Sequence, residues 1–502
     1  MLKRISILFS RPYSLSFLIY FSFILAAYTQ NKVGFDPAIQ ALYKQIINLD
    51  LKKYEQSKAA NPNLQENACL ILLDNYADFF SLFINENKQE FLSKKNLGKT
   101  RINQLQRAAI PQEWKNYLIA EIQLQWALIY LKNDDQLAAF QNIRSAFEKL
   151  ESNKSQFPNF IFTYKSLGII HCLLSTIPAG FSWATKLIGL SGSMQLGKSE
   201  LNHFLQQSNS ESQIYQLEAN AALSFILSYL ENKPLAAYRN WQKVIEQEDP
   251  NPLISLVLAR LAMKASYNDA ALNAIESLPE EMKVKIPFFQ FLLGLIKLQK
   301  LDPVADKYFK NYLHQFKGNS YIKESYQKLA WHSILFNQSK QYKEYMNLCQ
   351  RLGNTLTDED KQAQIESRSD HPPDLLLLKA RLLCDGSYAR QAYNLLIPKI
   401  DEYYKKTDLR LEAAYRTGRI CQFTKQYDEA ILYFEDAIRF DINSTSFMSC
   451  AAKLYSGQIM EEQNRWAKAR DYYNAVLDSK PDQYQRSLHQ KAKTGLARIK
   501  AE

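Results

Sequence analysis

Glycine is scarce in this chain, with only 14 glycines among 502 residues. Tight turns between strands rely on glycine, so this low content argues against a sheet-rich fold and favours helices. The sequence also lacks any run of alternating β-branched residues long enough to predict a sheet. We therefore expect an all-α protein.

Clustered metal ligands and catalytic motifs are missing as well. The six cysteines and six histidines include neither a C-x-x-C pair nor an H-E-x-x-H motif, so no zinc site is predicted. No nucleophile elbow occurs, and carboxylates cluster only as they do on ordinary helix faces. We expect a protein that is not an enzyme and has no catalytic residue, metal or cofactor. The cysteines lie in apolar helical patterns and are interpreted as small core residues, although an exported chain could form disulfides.

A clustered basic stripe is also lacking. Lysine and arginine outnumber aspartate and glutamate by 62 to 51, giving a net charge of +11. This excess is spread along the chain, whereas nucleic-acid binding modules concentrate it on one element. A nucleic-acid partner is therefore not expected.

One apolar run stands out, at the N-terminus. Lys3, Arg4 and Arg11 precede the apolar stretch 15–28, LSFLIYFSFILAAY, and polar residues follow it. A basic start, a short apolar run and small residues at its end are typical of a secretory signal peptide. Cleavage between Ala27 and Gln30 would export the protein to the periplasm or cell envelope. The alternative is a retained anchor that associates with the membrane through residues 15–28, although spanning needs about 20 residues.

An internal repeat decides the predicted fold. The stretch 412–441 reads EAAYRTGRICQFTKQYDEAILYFEDAIRFD, which resembles a tetratricopeptide repeat. Small residues at Gly418 and Ala430 would let two antiparallel helices approach closely, with Phe434 filling the space beside them. The signature positions are Ala414, Gly418, Cys421, Tyr427, Ala430, Phe434 and Ala437.

A second good copy and several weaker ones extend the array. The next copy begins 39 residues later, at Gly457, Met460, Trp466, Ala469, Tyr473 and Pro481. Weaker copies lie upstream, near Ala127, Ala237, Tyr267, Gly294, Tyr342 and Ala380. Stacked helix pairs of this kind predict a right-handed helical-hairpin solenoid of the tetratricopeptide type, closed by a polar capping helix.

These patterns divide the chain into six segments. They are a signal peptide or N-terminal membrane anchor (1–28), N-terminal helices with a degenerate repeat (29–155), a Gly-rich helical insertion (156–212), degenerate repeats (213–350), a polar loop with one or two helical turns (351–374), and C-terminal repeats with a capping helix (375–502).

The octapeptide GSMQLGKS, from Gly192 to Ser199, satisfies the P-loop pattern G-x-x-x-x-G-K-[ST]. A working P-loop needs a buried strand before the glycine turn and a helix after it. The preceding residues, FSWATKLIGLS, are poor in β-branched residues, and the Walker-B-like string CLILLD ends at Asp74, far upstream. We interpret CLILLD as part of an apolar helix. The octapeptide is interpreted as a helix–turn–helix junction, with nucleotide binding as the alternative.

The surrounding segment, 165–201, resembles the central signature of the tetratricopeptide repeat protein 39 family, whose fungal branch comprises the inclusion-body-clearance proteins. The corresponding residues are Leu173, Leu174, Ile177, Pro178, Gly189, Leu190, Ser191, Gly192, Gly197 and Leu201. The resemblance implies an all-helical repeat protein without nucleotide chemistry. The glycines and the proline of the segment themselves predict short helices with tight turns at 178–180 and 189–192.

The predicted function is a non-enzymatic scaffold for protein–protein interaction, placed in the bacterial cell envelope. The first helix of each repeat should line the concave side of the array, where an unidentified protein or peptide partner would bind. The candidate peptide-binding residues are Arg416, Arg419, Gln422, Tyr455 and Gln458. Two alternatives stay open: solvated polar residues without a ligand, and a structural role in assembling envelope components.

Overall fold

A computed structural model describes residues 32–175, 192–246, 248–338, 340–369, 371–443 and 445–501. The predicted signal peptide, the predicted turn at 178–180 and all of the predicted turn at 189–192 except Gly192 lie outside these residues. The described chain is all-helical, as predicted, and its one β-type contact is an isolated bridge between Lys32 and Asn67. The chain joins the helical body at Phe35, whose buried ring packs against Trp114 and Phe162.

The helices of the first half are α1 Pro37–Ile47, α2 Leu51–Ala59, α3 Cys69–Asn85, α4 Lys88–Lys94, α5 Leu97–Arg107, α6 Gln112–Lys132, α7 Gln136–Gln156, α8 Phe162–Leu174, α9 Met194–Gln207, α10 Gln216–Phe225, α11 Pro234–Val244, α12 Pro252–Lys264 and α13 Asn268–Glu276. Those of the second half are α14 Glu280–Lys283, α15 Phe288–Gln299, α16 Ala305–Gln315, α17 Ile322–Leu335, α18 Lys340–Arg351, α19 Asp358–Glu366, α20 Leu375–Asp385, α21 Ala389–Leu396, α22 Ile400–Tyr404, α23 Arg410–Phe423, α24 Tyr427–Phe440, α25 Phe447–Glu462, α26 Trp466–Asp478 and α27 Gln485–Ala501.

Neighbouring helices pack as hairpins: α6 with α7, α12 with α13, α15 with α16, α17 with α18, α20 with α21, α23 with α24, and α25 with α26. Each hairpin turn has one residue in the left-handed region, where a side chain is mildly unfavourable. The amide of the following residue donates to a carbonyl five positions back, as from Gln426 to Cys421 at 2.8 Å. These left-handed residues are Asp134, Ser266, Leu301, Asn337, Ser387, Lys425 and Asn464.

The same turn closes the hairpin of α10 and α11, but with one extra residue. Residues Ile226–Leu230 form a short π-helix, so the Lys233 amide bonds to the carbonyl of Leu227, six positions back. A π-helix holds one more residue per turn than an α-helix, which accounts for this offset.

A glycine facing an aromatic ring recurs inside the hairpins. A Cβ atom at Gly418 would lie 2.6 Å from the Phe434 ring, and one at Gly457 would lie 2.8 Å from the Tyr473 ring. The close approach predicted from the repeat signature at Gly418 is therefore confirmed. Residues Ala430, Phe434 and Ala437 are fully buried, as their signature roles require.

Buried apolar side chains form clusters that follow the chain. The first cluster runs from Phe35 to Ile226, the second from Ala237 to Leu382, and a third from Ala414 to Ile499. All six cysteines are buried and unpaired, as expected for small core residues. The string CLILLD lies in the apolar helix α3, as predicted.

Contacts between distant parts of the sequence close the array on itself. The Glu86 carboxylate, at the end of α3, accepts a hydrogen bond from the Ser320 amide at 3.1 Å. Near the C-terminus, Arg498 donates to the Glu231 carbonyl at 3.1 Å. The last helix therefore packs beside the middle of the chain, which brings α12 and α27 to the same surface.

The segment predicted as a polar loop, 351–374, contains a helix of nine residues, α19. Its carboxylates tie it to α17: Asp360 accepts from the Tyr321 amide at 2.8 Å, and Glu366 accepts from the Trp331 indole at 2.5 Å. Polar residues that would otherwise mark a loop here cap and anchor a neighbouring helix.

Candidate functional site

The five predicted peptide-binding residues lie on two adjacent first helices. Arg416, Arg419 and Gln422 lie on α23, whereas Tyr455 and Gln458 lie on α25. In a helix, residues three or four apart share a face, so each set presents one side of its helix. The helices themselves pack against each other.

Arg419 joins the two sets. Its guanidinium lies 3.7 Å from the centre of the Tyr455 ring, a cation–π contact. It also donates a hydrogen bond to the Gln422 amide oxygen at 2.5 Å. Gln458, one turn along α25 from Tyr455, is half-buried. The structure thus places Arg419, Gln422 and Tyr455 in direct contact.

Arg416 is held by its own helix. Its guanidinium donates to the Glu412 carboxylate at 3.0 and 3.1 Å, one turn earlier on α23. This ion pair is mostly buried, with the Arg416 side chain 10% exposed. Arg416 therefore contributes less uncompensated charge to the surface than Arg419 does.

Cations from distant helices face the same place. Lys264, at the end of α12, and Lys491, on α27, lie close enough to Tyr455 to influence its ionisation. Arg381, on α20, lies 3.8 Å from Asp385, whose carboxylate is close enough to Tyr455 and Arg419 to influence their ionisation. We call this surface the basic groove. It consists of Lys264, Arg381, Arg416, Arg419, Gln422, Tyr455, Gln458 and Lys491.

The ionisation of Tyr455 reports a positive potential in the basic groove. Burial by itself raises the pKa of a phenol, because it disfavours the charged form. The pKa of Tyr455 nevertheless lies below its ordinary value, because three cations outweigh burial. They are Arg419, Lys491 and Lys264.

The pKa of Lys264 is also affected by the positive charge of the groove. The pKa of its ammonium lies below the ordinary value, because the surrounding protein displaces water and Lys491 repels its charge. The lowered pKa of Tyr455 and the repulsion between Lys491 and Lys264 both indicate an excess of positive charge. The groove is therefore suited to an anionic ligand.

Few carboxylates compensate this charge. Glu412 pairs with Arg416, and Asp385 lies 3.8 Å from Arg381. Within the described ranges, no carboxylate oxygen lies within 4.0 Å of the cationic nitrogens of Lys264, Arg419 or Lys491. Glu461, which shares α25 with Tyr455, is occupied by Arg498 at 2.5 Å and by the Tyr473 hydroxyl at 2.5 Å.

Sequence reasoning missed Lys264, Arg381 and Lys491 as members of the groove. Lys264 and Arg381 lie on the first helices of hairpins whose repeat signatures are weak, and Lys491 lies on the capping helix, whereas the candidate residues come only from the two best repeats. The helix α27 packs directly on α25, whose hairpin it follows in the array, whereas α12 reaches the same surface only through closure of the array. In the sequence they are single basic residues on helices, a feature that many other lysines and arginines of the chain share.

The P-loop-like octapeptide is used for packing. Met194–Ser199 form the start of α9, where the Ser193 hydroxyl caps the helix by accepting from the Leu196 amide at 3.0 Å. A Cβ at Gly197 would lie 2.4 Å from the Gly168 carbonyl oxygen, so Gly197 permits the close contact of α9 with α8. Lys198 forms an ion pair with Glu231 at 2.6 Å.

The described residues contain no group of three histidine, cysteine, aspartate or glutamate side chains placed to hold a metal ion. In the same part of the chain, every helix is too short or too polar to cross a membrane. The stretch 15–28, predicted to be a signal or anchor, lies outside it. Searches with protein-family models and against curated proteins give no match to the chain.

Proposed function

We propose that the protein is a non-enzymatic scaffold that binds an acidic segment of a partner protein in the basic groove. The observation that carries this proposal is the group of cations, Lys264, Arg419 and Lys491, which have no carboxylate partner within 4.0 Å among the described residues. Aspartate and glutamate side chains, or a carboxyl terminus, would supply the missing charge through charge-assisted hydrogen bonds.

The architecture supports this role. Seven hairpins with one turn geometry, three of which also have a glycine against an aromatic ring, are what a tetratricopeptide-like array requires. We propose that the hairpins form a right-handed solenoid, that their first helices line its concave side, and that the chain is related to the tetratricopeptide repeat protein 39 family. Arrays of this kind commonly bind extended or helical peptides on that side.

Export to the bacterial cell envelope is a further part of the proposal and depends on the sequence of residues 1–28 alone. A role in envelope assembly differs from the scaffold role only in the partner that binds. Nucleotide binding at Gly192–Ser199 is disfavoured, because Gly197 is committed to the contact with α8 and Lys198 to Glu231.

A peptide-binding experiment tests the proposal. A random peptide library is selected on the purified protein, and the enriched peptides are measured by fluorescence anisotropy. We expect enriched peptides to be acidic and their affinity to fall with added salt. The double variant Arg419→Ala/Lys491→Ala should weaken binding by tenfold or more, since each lost charge-assisted bond contributes about 1.5–3 kcal/mol.

The matched control is Lys468→Ala/Arg470→Ala. These two exposed cations lie on α26, the second helix of its hairpin, so the control removes the same charge from another surface. It should retain binding. Equal weakening by both double variants, or enrichment of peptides without acidic residues, would contradict the proposal.

A further inference from the structure

A large cavity lies beside the basic groove, lined by residues between Tyr43 and Tyr321. Its volume is about 940 Å³, near the upper end of the range of roughly 300–1,000 Å³ typical of small-ligand pockets. Its wall is built mainly from apolar side chains of successive helices. Examples are Phe79 and Phe83 on α3, Leu128 on α6, Ile169 on α8 and Val257 on α12.

One group of charges on the cavity wall is neutralised internally. The Lys165 ammonium, 2% exposed, lies 3.1 Å from a carboxylate oxygen of Glu121 and 3.1 Å from one of Glu218. Burial lowers the pKa of a lysine, but these two carboxylates outweigh it, and the pKa of Lys165 lies above its ordinary value. The Tyr76 hydroxyl, at 3.1 Å from Glu218, adds a hydrogen bond to the same group.

A second pair is neutralised in the same way. Lys132 lies 2.5 Å from Glu86, which also accepts from the Ser320 amide. These paired charges need no ligand, because their hydrogen-bonding capacity is used within the protein. A ligand that lies against these paired charges therefore does not have to supply polar groups along its length.

Arg260, unlike the two paired lysines, lines the cavity without an ion-paired carboxylate among the described residues. It lines the cavity from α12, one turn before Lys264 of the basic groove, and its guanidinium lies 5.7 Å from the Phe288 ring and 6.0 Å from the Tyr229 ring. No carboxylate oxygen lies within 4.0 Å of its nitrogens in the part of the chain that the structure describes. The phenol groups of Tyr229 and Tyr321 hydrogen-bond to this guanidinium, so Arg260 is a cation held by neutral aromatic residues at an apolar cavity, without an acidic partner within that distance in the described ranges.

We propose that the cavity binds a long-chain fatty acid, with its carboxylate on Arg260 and its hydrocarbon chain among the apolar side chains. A guanidinium matches a carboxylate with two parallel hydrogen bonds. Transfer of the hydrocarbon chain from water into an apolar cavity of this size is favourable, because it removes apolar surface from water. The cavity touches helices of several consecutive hairpins, an extent that suits a long, flexible chain better than a compact ligand.

The test uses the full chain and cis-parinaric acid, a fatty acid that fluoresces when it leaves water. Oleate and oleyl alcohol, which have the same chain and differ in the head group, compete for the site. We expect oleate to displace the probe more effectively than oleyl alcohol. Arg260→Gln should weaken oleate by about tenfold or more and leave oleyl alcohol unchanged.

Two tryptophan variants test where the hydrocarbon chain of the ligand binds. Leu128→Trp narrows the cavity at a side chain that is 42% exposed, so the larger ring can be accommodated, and it should weaken both competitors. Leu137→Trp, at a 68% exposed position on α7 outside the cavity, is the control and should weaken neither. Circular dichroism and thermal melting establish that each variant is folded.

Three outcomes would overturn the inference. They are no fluorescence increase on adding cis-parinaric acid, equal weakening of oleate and oleyl alcohol by Arg260→Gln, and displacement by dioleoylphosphatidylglycerol vesicles at lower concentration than by oleate. Arg419→Ala should not change oleate binding, since Arg419 lies outside the cavity. This separates the inference from the proposed peptide-binding function.

Discussion

At the scale of single residues, the first half of the array is marked by buried tyrosines beside carboxylates. Tyr76 is 4% exposed, and its hydroxyl lies 3.1 Å from Glu218 and 3.4 Å from Glu121. Tyr43 also donates to Glu218. Burial, followed by the charge of Glu218, raises the pKa of both phenols well above the ordinary value.

This arrangement predicts a loss of stability in alkali. A phenol whose pKa is raised by folding stabilises the protein fully below its unfolded pKa, at about pH 10, and this contribution is lost as the pH rises further. We expect the free energy of unfolding, measured by urea denaturation, to fall steeply above about pH 10. Tyr76→Phe should make the fall shallower by about 1.4 kcal/mol per pH unit, the value for one proton.

The same variant supplies the check on this explanation. If Tyr76→Phe has the same alkaline slope as the unaltered chain, the loss of stability arises from other groups, such as the lysines. A free energy of unfolding that stays level up to about pH 11 would also contradict the buried-phenol account.

Some features of the candidate site could be predicted from the sequence, and others could not. Repeat spacing predicts which face of α23 and α25 carries Arg419, Gln422 and Tyr455, because helical periodicity fixes the neighbours of each side chain. It does not predict that Arg416 is paired with Glu412 or that Arg419 stacks on Tyr455. Those contacts depend on side-chain rotamers, which spacing leaves open.

At the scale of elements, the hairpin turns repeat more faithfully than the amino acids in them. The left-handed position is filled by aspartate, serine, leucine, asparagine and lysine, and glycine, the residue that best tolerates it, is not among them. Glycine therefore does not mark the left-handed position of any of these turns in the sequence. The helical hairpins are predictable from their small and aromatic residues, whereas the turn form is visible only in the structure.

Lys425, with φ at 62° and an exposed side chain, allows this turn to be tested. Replacing it with glycine removes the clash between Cβ and the carbonyl oxygen, which costs about 1–2 kcal/mol, but adds flexibility to the unfolded chain. We expect Lys425→Gly to raise the free energy of unfolding by up to about 1 kcal/mol, measured by urea denaturation. Lys425→Ala keeps the Cβ and should leave stability nearly unchanged; a decrease with glycine would show that the turn is not strained.

The segment 351–374 contains a helix that the local sequence predicts poorly. Its polar, proline-terminated sequence indicates a loop with one or two helical turns, whereas Asp358–Glu366 form a helix of nine residues, α19. Asp360, fully buried, bonds to backbone amides at the start of α17, so contacts with another helix stabilise α19. Local sequence cannot reveal a helix whose polar residues are satisfied by a distant partner.

At the scale of the whole molecule, closure of the array creates the basic groove. Lys264 and Lys491 are 227 positions apart in the sequence, yet both lie close enough to Tyr455 to influence its ionisation. The contact of Arg498 with the Glu231 carbonyl holds α27 in this position. An all-helical repeat is predictable from one sequence, but a surface assembled from its middle and its end is not.

The central claim is that a partner binds in the basic groove, and site-specific photocrosslinking tests it most directly. The photoreactive residue p-benzoylphenylalanine replaces Gln458 in the groove or, as the control, exposed Lys468 on α26, and the full chain is irradiated in the producing cell. We predict a discrete crosslinked protein from position 458, lost when Arg419→Ala is added, and none from position 468. A crosslink from position 468 alone, or one from position 458 that persists in the Arg419→Ala variant, would contradict the account.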